Sequence, residues 1–211
     1  MNISAVVMAH PDRALAAKAL ERQLSAMPFT DVYTIYDELN EEWDTGSRAL
    51  RWGIGRADWH VVIQDDAILS PGFYDNLCGA LAAAPSRSLI SLYVGTVRPF
   101  GSRVKAAVDK AYHATWLRHH SLLWGVGIAI PADHIEHLLD YVADRNDLRY
   151  DNRIGVFYQA NMIPVLYTMP SLVDHDDDLG SLLAHGGTAE PRVAHRLAAG
   201  PVQWNRHIID I

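Results

Sequence analysis

Seven uncharged positions from Ile3 to Ala9 form a continuous, largely apolar run and predict a buried parallel strand. His10-Pro11-Asp12 interrupts that run. From Ala14 to Ala26 the spacing becomes helical, with Leu15, Leu20 and Leu24 near one face. Val32 to Tyr36 predicts a second strand. Thr45 to Trp52 predicts a helix capped by Thr45 and ended by Gly53 and Gly55. Trp59 to Ile63 is a third buried strand that stops at Gln64-Asp65-Asp66. A helix from Phe73 to Ala84 follows, entered through Ser70-Pro71-Gly72, and then a fourth strand from Leu89 to Val94. Later in the chain, Leu122 to Ile130 is apolar with two glycines, Ala132 to Tyr141 is an amphipathic helix, and Pro164 to Tyr167 is a short strand.

Strands alternating with helices predict an α/β/α sandwich around a mainly parallel central sheet. Residues 1–185 form that domain. From Gly186 onward Gly, Ala, Pro and charge increase, so residues 186–211 read as a tail, loosely ordered or folded back over a site. Sheets of this kind bind ligands beyond the carboxyl ends of their strands. His10-Pro11-Asp12-Arg13 and Gln64-Asp65-Asp66 would both lie there.

Composition narrows the function. Eighteen Lys and Arg against 25 Asp and Glu give a net charge of −7, which argues against nucleic-acid binding over the whole surface. The segment 98–120 differs: Arg98, Arg103, Lys105, Lys110 and Arg118 oppose only Asp109, with Phe100, Tyr112 and Trp116 interleaved. Cys78 is the sole cysteine, which excludes a disulfide scaffold and a zinc ribbon and points to a reducing compartment. The N-terminal residues read as a strand and not as a signal peptide. The longest apolar stretch, Ser121 to Ala132, falls short of the roughly 20 residues needed to span a bilayer. These features lead to the expectation of a cytoplasmic protein with no membrane span.

Four places carry candidate chemistry. Asp65 and Asp66 end a buried strand, where an unpaired charge costs several kcal/mol. A divalent cation would offset that cost, and hard carboxylate oxygens suit Mg²⁺ or Mn²⁺, which in turn bridge phosphates. A helix cap or a solvated turn is the plainer alternative. Asp174-His175-Asp176-Asp177-Asp178 offers an imidazole among carboxylates, either a ligand set or an acidic loop. Arg13 follows the first strand, where its fork suits a diphosphate, or a surface charge at a helix start. Asp151, in Arg149-Tyr150-Asp151-Asn152-Arg153, is a general base or an N-cap.

In this order the motifs resemble those of small GT-A-type glycosyltransferases, in particular family 25 (LPS and collagen-type) enzymes and phage-encoded relatives. His10-Pro11-Asp12-Arg13 resembles the nucleotide-binding start, and Trp43-Asp44-Thr45-Gly46-Ser47-Arg48 the donor contacts. Gln64-Asp65-Asp66-Ala67 is similar to the metal-binding DxD motif, with Gln64 in place of the usual acid. Trp124-Gly125-Val126-Gly127 resembles the glycine-rich strand beside the acceptor. Tyr150-Asp151-Asn152-Arg153 stands where the acidic catalytic motif is expected, with Asn152 replacing a second acid. Pro170-Ser171-Leu172-Val173-Asp174-His175 is similar to the late Pro-Ser-Leu-Val-x-His motif, whose His joins the metal site.

The resemblance implies a GT-A-like, Rossmann-like fold and a metal-dependent, inverting hexosyl transfer from a UDP-sugar. Asp66 and His175 would hold Mn²⁺ or Mg²⁺. His10, Pro11, Arg13, Trp43, Thr45, Gly46, Arg48, Gln64 and Asp65 would bind the nucleotide-sugar, and Asp151 would be the base. Arg98, Arg103, Lys105, Trp124 and Gly125 would line the acceptor side. The acceptor would be a hydroxymethylated base in phage-type DNA, or a glycan or protein hydroxyl. Two other classes remain open. Ala9-His10-Pro11-Asp12 is similar to the opening of zinc deacetylases, with His134 or His137 as a late ligand, although Arg13 stands where that family needs an acid. The third is a non-catalytic nucleotide-sugar-binding module.

Overall fold

The computed structural model describes residues 1–97, 101–179 and 191–211. Its strands are β1 (Ile3–Ala9), β2 (Asp31–Tyr36), β3 (Trp59–Gln64), β4 (Ala67–Leu69), β5 (Ile90–Ser91), β6 (Trp116–His119), β7 (Gly127–Pro131), β8 (Val165–Thr168), β9 (Val173–His175) and β10 (Ile208–Asp210). Its helices are α1 (Ala14–Ser25), α2 (Glu42–Trp52), α3 (Phe73–Ala83), α4 (Gly101–Lys110), α5 (Ile135–Tyr141) and α6 (Tyr150–Ala160).

Eight strands form one sheet in the order β10-β6-β8-β5-β7-β3-β1-β2. The ladders β2–β1, β1–β3, β5–β8 and β6–β10 are parallel, while β3–β7, β7–β5 and β8–β6 are antiparallel. Parallel pairing therefore predominates, as expected for an α/β/α sandwich of GT-A-like, Rossmann-like type. All seven residues of β1 are buried, because layers cover both faces of the sheet and an uninterrupted apolar run is the only kind that tolerates this. The two polar side chains in this centre satisfy each other. Ser4 Oγ lies 2.9 Å from His60 Nδ1, and His60 Nε2 lies 3.0 Å from the Ala49 carbonyl.

Several boundaries differ from the periodicity. Leu15 is 85% exposed, and Ala17 joins Leu20 and Leu24 on the buried face of α1. The second helix starts at Glu42, so Thr45 sits one turn inside it and its hydroxyl donates to the Glu41 carbonyl. Leu89 to Val94 is buried throughout, yet only Ile90–Ser91 is sheet. Beyond Ser91 the backbone turns to the chain after β8: Leu172 N–H donates to the Leu92 carbonyl and Val94 N–H to Ser171 Oγ. A 3₁₀ turn over Ala132–His134 precedes α5.

The chain from 191 onward is bound to the domain. Ala194 bridges to Gly95 and Leu197 to Ser171, β10 pairs with β6, and Trp204 packs on Trp116 at 5.3 Å between ring centres. Among the described residues no helix is long and apolar enough to cross a membrane.

Candidate active site

Strand order locates the site. β1 lies between β2 and β3, so the chain leaves β1 toward one side and later returns past it to the other. Sheets of this kind bind ligands beyond the carboxyl ends of strands placed in this way, where the loops after β1 and β3 lie. Asp65 and Asp66 stand there. The His10 N–H donates to Asp65 Oδ2 at 2.7 Å, and Arg13 Nη1 donates to Asp65 Oδ1 at 2.9 Å and to Asp66 Oδ2 at 2.7 Å. Both oxygens of Asp65 are thus engaged by the loop after β1. The backbone locks the same junction, since Asp65 N–H reaches the Met8 carbonyl and Gln64 N–H the Val126 carbonyl.

His175 arrives from a second, two-stranded sheet. β4 and β9 pair antiparallel with Ala67 opposite His175, and the Asp176 N–H donates to the Asp66 carbonyl at 2.7 Å. Asp174 Oδ1 accepts the N–H groups of His175 and Ala194, which ties β9 to the C-terminal segment. The result brings His175 Nε2 within 3.3 Å of Asp66 Oδ2, with the two residues only 6% and 7% exposed. Burial alone would raise the Asp66 carboxyl, but His175 and then Arg13 outweigh it and hold the group below its ordinary range. Burial dominates at Asp65, which lies above the usual carboxylate range despite His10 and Arg13.

The donor set fits a divalent ion. Asp66 Oδ1 is buried without a hydrogen-bond partner and keeps its lone pairs for an ion. The 3.3 Å between Asp66 Oδ2 and His175 Nε2 matches the roughly 3 Å edge between adjacent ligands of an ion bonded at about 2.1 Å. Among the described residues no group of three or more His, Cys, Asp or Glu side chains could hold a metal ion.

A second acidic pair lies beside the chain that leads into β7. A Cβ added at Gly125 would meet the Tyr150 ring at 3.0 Å and the Asp151 Cβ at 3.7 Å. The next residue, Val126, holds Gln64 through its carbonyl. Asp151 therefore lies beside Gly125, next to the residue that holds the end of β3. Glu42, in the first turn of α2, accepts the Tyr150 N–H and so caps α6 from a different helix. Burial first, and the charge of Asp151 next, raise the Glu42 carboxyl. Sequence reading missed Glu42; an acid in the first turn of a helix gives no local sign of a partner far along the chain. Gly46 makes the approach of α2 to α6 possible, since a Cβ there would lie 2.2 Å from the Tyr150 ring. Trp43 packs 6.4 Å from that ring and stacks with Arg153, whose Cζ is 4.7 Å from the indole centre.

The other expected site residues are distributed as follows. Pro11 is exposed in the turn after β1, and Gln64 is half-buried at the end of β3. Thr45 and Gly46 are buried inside α2. Arg48 is held by Asp44, Glu38 and the Tyr36 carbonyl beside the end of β2. Trp124 is buried, edge-on to Tyr93 and Tyr167, and donates to the Val97 carbonyl. Arg103 and Lys105 are exposed on α4, where Lys105 pairs with Asp109 at 2.7 Å. Arg118 pairs with Asp210, so part of the positive segment is neutralised. Arg98 lies outside the described residues.

The deacetylase set does not assemble. His134 and His137 follow β7, which runs antiparallel to β3, and Ala132 bonds to Asp58 at the start of β3. They therefore stand at the opposite end of the sheet from His10. His134 Nδ1 lies 3.0 Å from the Tyr158 hydroxyl.

No family model matches the sequence, and no curated protein shows significant similarity to it. Among solved structures, the chain is similar to a glycosyltransferase involved in glycosylation of the major capsid of PBCV-1. The two share 10% identity over 79% of this chain and 81% of the other, with a TM-score of 0.41. It is also similar to the mannose-1-phosphate geranyltransferase of Thermus thermophilus, at 14% identity over 80% and 74% of the two chains and a TM-score of 0.43. Likeness at this distance assigns no activity, and the function rests on the site residues.

Proposed function

We propose that this chain is a metal-dependent glycosyltransferase that moves a hexosyl group from a UDP-sugar to an acceptor hydroxyl with inversion. The observation that carries this reading is the meeting of Asp66 and His175 at 3.3 Å just beyond β3, with Asp151 beside Gly125, the neighbour of the residue whose carbonyl holds Gln64. Mn²⁺ or Mg²⁺ held by Asp66 and His175 would supply Lewis-acid neutralisation of the diphosphate leaving group.

The protein's own groups do the rest. The half-exposed face of Trp43 and the guanidinium of Arg48 line the donor side. Asp65 fastens the β1 and β3 loops to each other. Asp151 accepts the proton of the acceptor hydroxyl as its oxygen attacks the anomeric carbon. The bond from that carbon to the diphosphate oxygen breaks on the opposite face. Glu42 holds the first turn of α6, so it positions Asp151. The exposed Arg103 and Lys105 on α4 make DNA carrying hydroxymethylated bases one arm of an acceptor screen, with glycan and protein hydroxyls as the others.

The direct test is thermal stabilisation by UDP-Glc, UDP-Gal, UDP-GlcNAc and GDP-Man with and without Mn²⁺. Stabilisation by one UDP-sugar that requires Mn²⁺ is expected. Equal responses in EDTA would remove the metal from the reading, and no response to any donor would remove the transferase.

A further inference from the structure

The cation-binding edge of the site is already engaged by a cation. A single nitrogen of Arg13 donates to both carboxylates, at 2.9 Å to Asp65 and 2.7 Å to Asp66, and the side chain is only 9% exposed. The oxygen it meets on Asp66 is the same Oδ2 that faces His175 Nε2 at 3.3 Å. A divalent ion using those two atoms would stand against the guanidinium, and like charges in a buried site repel strongly. Asp65 offers no alternative seat, because its other oxygen takes the His10 N–H.

The geometry points to Arg13 as an internal counter-ion that keeps the divalent cation out of the Asp66–His175 site until a diphosphate arrives. The inference rests on the metal-dependent reading above. Arg13 belongs to a 3₁₀ turn just after β1, anchored by its N–H to the His10 carbonyl and by the His10 side chain, which accepts from Asp12 N–H. The backbone can stay put while the long side chain swings. A guanidinium's fork matches phosphate oxygens in pairs as it does a carboxylate's, so a diphosphate competes with the shared carboxylate edge for Arg13. Donor binding would draw Arg13 off Asp66 and open the seat to the metal. Metal and nucleotide then enter together: each raises the affinity for the other by the same factor. A site so built stays shut to free cations and does not leave two buried carboxylates bare.

The test is Mn²⁺ binding to wild type and Arg13→Gln by calorimetry or electron paramagnetic resonance, without and with UDP. Without UDP, the variant is expected to bind Mn²⁺ at least ~10-fold more tightly than wild type, a difference of about 1.4 kcal/mol. UDP should sharpen Mn²⁺ binding strongly in wild type and weakly in the variant. Adding Asp66→Asn to the variant should erase its gain. Wild-type binding with equal or weaker binding by Arg13→Gln would overturn the counter-ion role and leave the metal reading standing. No Mn²⁺ binding by either protein, with or without UDP, would overturn both. A gain that survives Asp66→Asn would place the ion elsewhere and also overturn the role. If the variant is unfolded without metal, recovery of its circular-dichroism spectrum on adding Mn²⁺ supports the inference, and failure to recover at saturating Mn²⁺ defeats it.

Discussion

His175 Nε2 stands 3.3 Å from Asp66 Oδ2. Asp66 lies in the turn between β3 of the main sheet and β4 of the two-stranded sheet, and His175 ends β9, the partner of β4. The Asp66 carbonyl and the Asp176 N–H join the backbones at the same place, so the side-chain distance is set by hydrogen bonding and not by a mobile loop.

If Asp66 and His175 hold a divalent ion as proposed, removing either side of this contact should abolish its binding. Asp66→Ala and His175→Ala are expected to weaken Mn²⁺-dependent UDP binding by at least about 10- to 100-fold, the range already seen when outer-shell partners of metal ligands are lost. Calorimetry with Mn²⁺ and with EDTA checks this. Retained Mn²⁺-dependent binding in both variants would contradict the assignment.

Asp151→Asn should leave donor binding intact and slow transfer by about 10²-fold or more, the scale of base catalysis. Glu42→Gln acts on the same step through charge. Burial first, and then repulsion from the Asp151 charge, raise the Glu42 carboxyl. Loss of the Glu42 charge should let Asp151 ionise at lower pH, moving the acid limb of the pH–rate profile downward. A full profile of kcat against pH separates this from a simple loss of folded protein. An unmoved acid limb would make Glu42 a structural cap and nothing more.

Gly46→Ala tests the packing that brings α2 to α6. The new methyl would lie 2.2 Å from the Tyr150 ring, so either helix must move. Overpacking of this kind costs about 1–3 kcal/mol. A lower urea midpoint is expected, together with reduced transfer, because Asp151 follows Tyr150 in α6. Normal stability would show that the interface yields without cost.

Stability should fall in mild acid because of His60. Burial pushes its pKa from 6.5 down to about 4, partly opposed by its bond to the Ala49 carbonyl. The folded protein keeps this ring neutral, whereas the unfolded chain protonates it near its ordinary value. The contribution is fully present above pH 6.5 and is lost as pH falls toward 4, by about 3 kcal/mol in total. Urea titrations across that window check the slope. His60→Gln should start from lower stability and lose less of it in acid.

How much of this was legible beforehand depends on where the stabilising partner lies. β1 and β3 could be read almost to the residue, because a strand covered on both faces must be apolar at every position. The carboxylates at the end of β3 stood out for the same reason: charge at the end of such a run is costly unless something answers it. α1 carried its own periodicity at Leu20 and Leu24, and α3 was marked by its Ser70-Pro71-Gly72 entry. The Asp151 and His175 motifs were visible as order along the chain and not as contacts.

Tertiary structure decided the rest. β4 and β9 have three residues each and no alternation to reveal them; only their pairing makes them strands. β6 and β10 depend likewise on partners far away in the chain. Nothing in the sequence joins Arg13 to both carboxylates or sets Glu42 beside Asp151, since those distances follow from how the loops and helices cross. Apolar runs that bury themselves leave a local mark, whereas the positions of polar groups that answer one another across the fold are set by the packing of those runs.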